Sequence, residues 1–494
     1  MPTPPAAERS FCRAARLFAL VGCLLPLLAA ASDEPRARPS VLVVVIDTLR
    51  ADAVSAYGDA PGTTPALDRL AEAGLLFEHA FAPAPWTLPS HATLLTGLGV
   101  EQHGVGLGGR TILGPEPATL AERLSAAGYR TGGFSENPVV SPHFGLERGF
   151  AHFSGVLLED VVAADQGFGE TPFDVVALFT EWVGRAGQDP PFFGFVNLFD
   201  PHDPYEYHPE HTPLPPGVTP EEARDVRERL GRLPAMCDRL PEPRELDILR
   251  ALYWGDVRAA DAKLEAIVGR AQEAAGPGGL ITVVTSDHGE HLGEHRLLGH
   301  EFSVRNVLLH VPLVVHGLPS AGTGRVATPV ELADLVPSVL AWTGLPAAPE
   351  LDGLVWSSAE LAQTPPRNFF AAYSDAVPNT PPSARPVIDL NRRLRNQRRL
   401  WCAGREPVFG EMAALTRFPF KWIWFEDGAP QLFDLSQDPG EQADLRASEP
   451  EISGTLSRDL ERLRMGAPSG PATPSEPALS QEGLEALRAL GYLE

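Results

Sequence analysis

VLVVVIDTLRAD (Val41–Asp52), PFFGFVNLFDPHDPY (Pro191–Tyr205) and LITVVTSDHGEHLGEH (Leu280–His295) share one pattern: an apolar, β-branched or aromatic run that stops abruptly at an acid. Apolar runs without polar alternation fit strands buried on both faces, the habit of a mostly parallel sheet covered by helices. Helical patterns fill the gaps. TPALDRLAEAGLLF (Thr64–Phe77) opens on Thr-Pro and keeps apolar residues at helical spacing. EPATLAERLSAAGYRTGGF (Glu116–Phe134) reads as a helix ending near Gly128 and then a strand, and Pro220–Ala275 as helix-rich with a break near Pro241. The expected fold class is α/β, with ligands gathering at the carboxyl ends of the strands.

After Leu345 the texture changes. FFAAYSD and FPFKWIWFEDG precede QLFDLSQDPGEQADL, which predicts a hairpin: KWIWF, a turn at Asp427-Gly428, then QLFDL. The expected organisation is a larger domain over 38–345 and a smaller domain with an antiparallel sheet over 346–465. Residues 466–494 supply a linker rich in Pro, Gly and Ser, then an amphipathic helix, EGLEALRALGYL, expected to dock on the body.

The chain has 494 residues and a formal net charge of −24, which argues against non-specific binding to nucleic acid or anionic membranes. The basic run Arg392–Arg399 reads as a solvated face. Lysine occurs only at Lys263 and Lys421, so a cationic site group is expected to be Arg or His. At the N-terminus, Arg9, Arg13 and Arg16 precede an apolar stretch from Leu17 to Ala31, the order of a signal peptide over 1–31. LVGC (Leu20–Cys23) offers the alternative of a lipid anchor at Cys23. Only Cys237 and Cys402 follow, so no disulfide framework is expected. No later segment has the roughly 18 uninterrupted apolar residues of a membrane span. The expectation is an exported protein, periplasmic or extracellular.

The chemistry begins with Asp47, Asp287 and His288, which arrive at the ends of two expected core strands. Such acids are expensive to bury unless paired or bound to a cation, and with a neighbouring histidine they form an oxygen and nitrogen ligand set for one divalent metal. That set suits Ca, Mg, Mn or Zn alike. In PWTLPSHATLLTG (Pro85–Gly97), Pro89 and Ser90 suit the start of a helix, HATLLTG, whose free N–H groups favour an anion. Ser90 or Thr87 could simply cap it; beside a metal, the Thr87 hydroxyl could instead be a ligand and nucleophile. His91, His103, His202 and His300 sit at expected strand or helix ends, where proton donors or cations would surround a transferred anion.

The ordered motifs IDTLRAD, PWTLPSHATLLTG with HGV, FDPHDPY, SDHGEHLGEHRLLGH with VPLVVHG, and LFDLSQDPGE together resemble the sulfatase family of the alkaline phosphatase superfamily, from Val41 to Leu445. The resemblance implies an alkaline-phosphatase-like core with a mainly parallel sheet between helices, plus a small C-terminal α+β domain. Family sulfatases carry C-x-P-S-R, whose Cys or Ser becomes formylglycine; here the segment reads Thr87-Leu88-Pro89-Ser90-His91, so no formylglycine is expected. Thr at this place resembles the phosphoethanolamine transferases and the nucleotide pyrophosphatases/phosphodiesterases, in which a metal-bound Thr attacks phosphorus. Asp47, Thr87, Asp287 and His288 match their shared metal site, and His202 matches a leaving-group-side histidine. Three cations of the family pattern are absent: His91 follows Pro-Ser in place of Arg, His300 follows Gly299 in place of Lys, and no GKWHLG-type segment stands near Gly132–Asn137. His91 and His300 are then expected to be cationic clamps that titrate near neutrality.

These readings imply a metal-dependent hydrolase of sulfate or phosphate esters working through Thr87. Its substrate would be an anionic ester on a small molecule, glycan or lipid head group. The alternatives are a phosphoryl transferase or phosphodiesterase, and a non-catalytic binding protein of the same fold.

Overall fold

The computed structural model describes residues 37–58, 63–107, 110, 112–156, 173–185, 190–230, 241–300, 303–318, 322–357, 361, 363–374, 410–426 and 428–466. The expected signal peptide with Cys23, the run Arg392–Arg399, Cys237, Cys402, Asp427 and the terminal helix lie outside the described residues. No helix among the described residues is long and apolar enough to cross a membrane.

The three acid-terminated runs become neighbours. Ser40–Ile46 pairs in parallel with Phe192–Leu198 on one side and Leu280–Thr285 on the other, at the centre of an eight-stranded sheet. The sheet continues through Arg130–Ser135 to His152–Gly155 at one edge, and through Leu313–His316 and Leu75–Phe77 to Gly324–Val326 at the other. Leu313–His316 is antiparallel to both neighbours and the other seven strands run one way, so the sheet is mainly parallel as expected. Continuous hydrophobicity follows from burial on both faces. Along the first strand, Val41, Val43 and Val45 enter one core, while Leu42, Val44 and Ile46 enter the other. Helices Thr87–Thr96, Leu120–Ala126 and Leu335–Trp342 cover the first face. The second is covered by Pro65–Glu72, Val175–Gly184, Pro220–Leu230 and the 32-residue helix Pro243–Ala274.

Two boundaries differ from expectation. The helical pattern read through Phe77 stops at Glu72, and Leu75–Phe77 is a strand. Gly74 accounts for the change, because a Cβ there would lie 2.3 Å from the Val315 carbonyl oxygen, so only glycine lets the chain turn this close to the sheet. The helix expected to start at Pro89-Ser90 and run through HATLLTG begins earlier, at Thr87. Pro89 is no obstacle in a first turn, whose N–H groups have no intrahelical partner.

The hairpin after Leu345 is present: Phe420–Phe425 pairs antiparallel with Gln431–Asp434 in a four-stranded sheet completed by Phe369–Tyr373 and Met412–Arg417. One face packs on Phe81, Val304 and Leu309 of the larger core. The other is covered by helix Pro450–Gly466 through Leu456 and Leu460, a helix not anticipated from sequence although Ile452, Leu456, Leu460 and Leu463 recur at helical spacing. Lys421, on this sheet, is fully buried with its Nζ 2.8 Å from Glu441 Oε1, and Glu441 Oε2 accepts the backbone N–H of Asn306 at 2.7 Å. This relay fastens the small sheet to the core.

Removing one partner of a buried ion pair strands the other charge. Lys421→Met is therefore expected to lower the unfolding free energy by about 3–5 kcal/mol, read from the urea midpoint, and adding Glu441→Gln should recover much of the loss. An unchanged midpoint in the single variant would show that the pair contributes nothing.

Candidate active site

The register decides where the acids emerge. Val45 pairs with Thr285 and with Asn197, so two residues later Asp47 and Asp287 leave adjacent strands side by side, the Asp47 N–H making a last bond to the Leu198 carbonyl at 2.8 Å. The turn after Asp47 is strained: Thr48, a β-branched residue, sits at φ 51, in the left-handed region. The strain has a use, because Thr48 then donates its backbone N–H to Asp287 Oδ1 at 3.2 Å, and Leu49 donates to Ser286 Oγ at 2.9 Å.

Asp47 is fully buried. Its Oδ2 accepts from Asn137 Nδ2 at 2.8 Å and from Asn197 Nδ2 at 3.4 Å, and its Oδ1 has no hydrogen-bond partner. Burial, then the charge of Asp287, raises the Asp47 carboxyl well above its usual range, and burial lifts Asp287 to about 7. His288 donates from Nδ1 to the Gly289 carbonyl at 2.9 Å, which fixes the tautomer and leaves the Nε2 lone pair without a partner. Ligand atoms of Asp47, Asp287 and His288 all lie within 4.8 Å of one another. Two buried carboxylates that repel each other, an orphaned carboxylate oxygen and an orphaned imidazole lone pair together fit a divalent cation.

Thr87 is the first residue of its helix. Trp86 is the extended N-cap and offers no side-chain cap, so neither Thr87 nor Ser90 plays that role; Ser90 instead donates to the Ala84 carbonyl at 3.1 Å. The buried Thr87 Oγ1 accepts from Asn137 Nδ2 at 3.3 Å, and the hydroxyl is hydrogen-bonded to the Asp287 carboxyl. The Thr87 hydroxyl and the candidate metal ligands thus meet in one buried cluster.

The histidines correct an expectation. His91 donates from Nδ1 to the Thr87 carbonyl at 2.9 Å, so its Nε2 is the acceptor facing Asn197 Nδ2 at 3.4 Å. Burial drives His91 and His300 down to about 4, so at neutral pH both rings are uncharged instead of the cationic clamps read from sequence. His300 Nδ1 lies 3.2 Å from Glu290 Oε1, and its ring centroid lies 4.6 Å from His288 and 5.0 Å from His202. His202 stacks on Phe199 at 4.3 Å and donates from Nδ1 to the Asp203 carbonyl; burial, then His300, holds it well below its usual value. His103 stands apart from this group, its Nε2 donating to Thr93 Oγ1 at 2.9 Å, a structural bond to the Thr87 helix.

Sequence reasoning missed Asn137, Asn197 and Glu290. Asn137 lies two residues past the strand Arg130–Ser135, Asn197 is the penultimate residue of Phe192–Leu198, and Glu290 sits in the loop after Leu280–Thr285. An uncharged amide at a strand end gives a weaker signal than an acid. One further residue organises this group. Lys263, on the long helix, places Nζ 2.7 Å from Glu136 Oε1 and 2.8 Å from Asp200 Oδ2, while Glu136 Oε2 accepts the Phe199 N–H at 2.9 Å. The brace pins the segments that carry Asn137 and His202.

This geometry meets known proteins at the level of fold and family. The Sulfatase family model matches residues 39–345. The chain is 23% identical to an arylsulfatase of Clostridium perfringens over 481 residues, covering 83% of this chain and 91% of that protein. It is 27% identical to Arylsulfatase K of Bos taurus over 226 residues, 44% of this chain and only 37% of that protein. The crystal structure of the phosphonate monoester hydrolase of Agrobacterium radiobacter superposes with a TM-score of 0.65 at 22% identity, covering 87% of this chain and 96% of that one. The chain belongs to the sulfatase family of ester hydrolases, within the alkaline phosphatase superfamily.

Proposed function

We propose that the protein hydrolyses sulfate or phosphate esters with Thr87 as nucleophile. One observation carries this reading: the Thr87 hydroxyl lies in the same buried pocket as Asp47, Asp287 and His288, hydrogen-bonded to Asp287 and receiving a donor from Asn137. A divalent ion held by Asp47, Asp287 and His288 would favour the ionised Thr87 oxygen and offset the charge of the bound ester.

Thr87 Oγ1 forms a bond to the sulfur or phosphorus, and its proton passes to the Asp287 carboxylate that already accepts it. The ester oxygen departs with the bonding pair and takes a proton from solvent. Water then attacks the sulfur or phosphorus and releases a proton to solvent, and the Thr87 oxygen leaves with the bonding pair and takes back the proton held by Asp287, which restores the hydroxyl and the carboxylate. His202 and His300 stand on the leaving-group side as neutral rings, and His91 holds the first turn of the Thr87 helix. The relatives named for aryl sulfates and for phosphonate monoesters bracket the substrate chemistry. Threonine in place of an oxidisable residue favours the phosphorus side, because no aldehyde hydrate can form there. The basic and apolar leader supports action outside the cytoplasm, with Cys23 as the alternative anchor.

Two experiments test this. Against aryl sulfates, phosphate monoesters, phosphodiesters and phosphonate monoesters, Thr87→Ala should lose about 10³-fold or more in kcat on whichever ester the wild type turns over; equal rates would refute the nucleophile. Chelation should abolish turnover and lower the melting temperature, with both restored by one of Ca, Mg, Mn or Zn. A fully active protein free of stoichiometric divalent ion would overturn the metal assignment.

A further inference from the structure

We propose that Asn137 is the positioning residue of the nucleophile: it fixes the Thr87 hydroxyl between one donor and one acceptor and stabilises the oxygen as it takes on charge. The inference rests on Thr87 being the attacking group.

The orientation of the amide is not arbitrary. Asn137 Oδ1 accepts the backbone N–H of Val139 at 2.8 Å, so the Nδ2 end must face the opposite way, into the site. Its two protons go to Asp47 Oδ2 at 2.8 Å and to Thr87 Oγ1 at 3.3 Å. An oxygen that receives a donor from one side must send its own proton elsewhere, and the acceptor is the Asp287 carboxyl. The Thr87 lone pairs are thereby held at a set angle. When the proton leaves, the Asn137 N–H remains, now bonded to an anion, and such bonds are about twice as strong as neutral ones. The 3.3 Å separation is the loose geometry of a resting site, with room to shorten as charge develops.

The surroundings suit a residue that must not move. Asn137 is fully buried, its backbone N–H goes to Ser135 Oγ at 3.1 Å, and Ser135 Oγ donates to the Asn137 carbonyl at 2.9 Å. Its chain neighbour Glu136 is tied to the long helix by Lys263. Such support costs side-chain freedom, and a site gains from it only where a fraction of an ångström matters.

The test compares wild type, Asn137→Ala, Asn137→Asp and Thr87→Ala at saturating metal on one ester that the wild type turns over. Asn137→Ala is expected to lose about 10²–10³-fold in kcat with KM changed less than about threefold, the mark of an interaction that strengthens in the transition state. Asn137→Asp keeps the shape without the donor and should lose at least as much; it remains informative if the alanine variant folds poorly. Unchanged kcat, or a loss confined to KM, in a protein that Thr87→Ala silences would overturn the role of Asn137 while leaving the nucleophile intact. Full activity of Thr87→Ala would instead remove the reading beneath it.

Discussion

Two like charges with nowhere to go organise this molecule. Asp47 and Asp287 leave neighbouring strands at the same level, out of reach of water, and each makes the other harder to ionise. Several nearby donors are turned toward them: the Thr48 N–H at the expense of a left-handed backbone, the amides of Asn137 and Asn197, and the Thr87 hydroxyl. Even so, Asp47 Oδ1 has no hydrogen-bond partner. A fold built only for stability would put apolar groups here, since buried carboxylates without a cation lower stability. Catalytic use explains why the conflict is retained.

The histidines show the same economy of charge. Burial keeps His91 and His300 uncharged, and the Thr87 hydroxyl accepts from the neutral amide of Asn137. His91 and His202 each spend Nδ1 on a backbone carbonyl. Such anchoring fixes ring orientation more firmly than it fixes protonation, so the rings serve as oriented dipoles and lone pairs before they serve as charges.

How much of this was legible follows from the strength of each local signal. The central strands were readable because burial on both faces demands uninterrupted apolar runs, and the candidate ligand cluster because acids at the ends of such runs stand out. The small sheet was readable from aromatic runs around a turn. The strand Leu75–Phe77 was absorbed into the preceding helix because three apolar residues fit either period, and only the close approach at Gly74 separates them. Histidine charge was misread because titration depends on desolvation, which no spacing encodes. Asn137 was overlooked because its meaning lies in contacts to residues 50 and 90 positions away in sequence.

The chain's two ε-amines both serve as internal struts, with side-chain exposures of 32% for Lys263 and 1% for Lys421. A protein of this size with so few lysines offers amine-acylating reagents almost nothing on its surface. The one side chain they can reach is the one whose charge holds Glu136 and Asp200 beside the site, and acylation cancels that charge. Acylation of Lys263 would therefore loosen the segments that carry Asn137 and His202, whereas arginine-directed coupling leaves that strut in place.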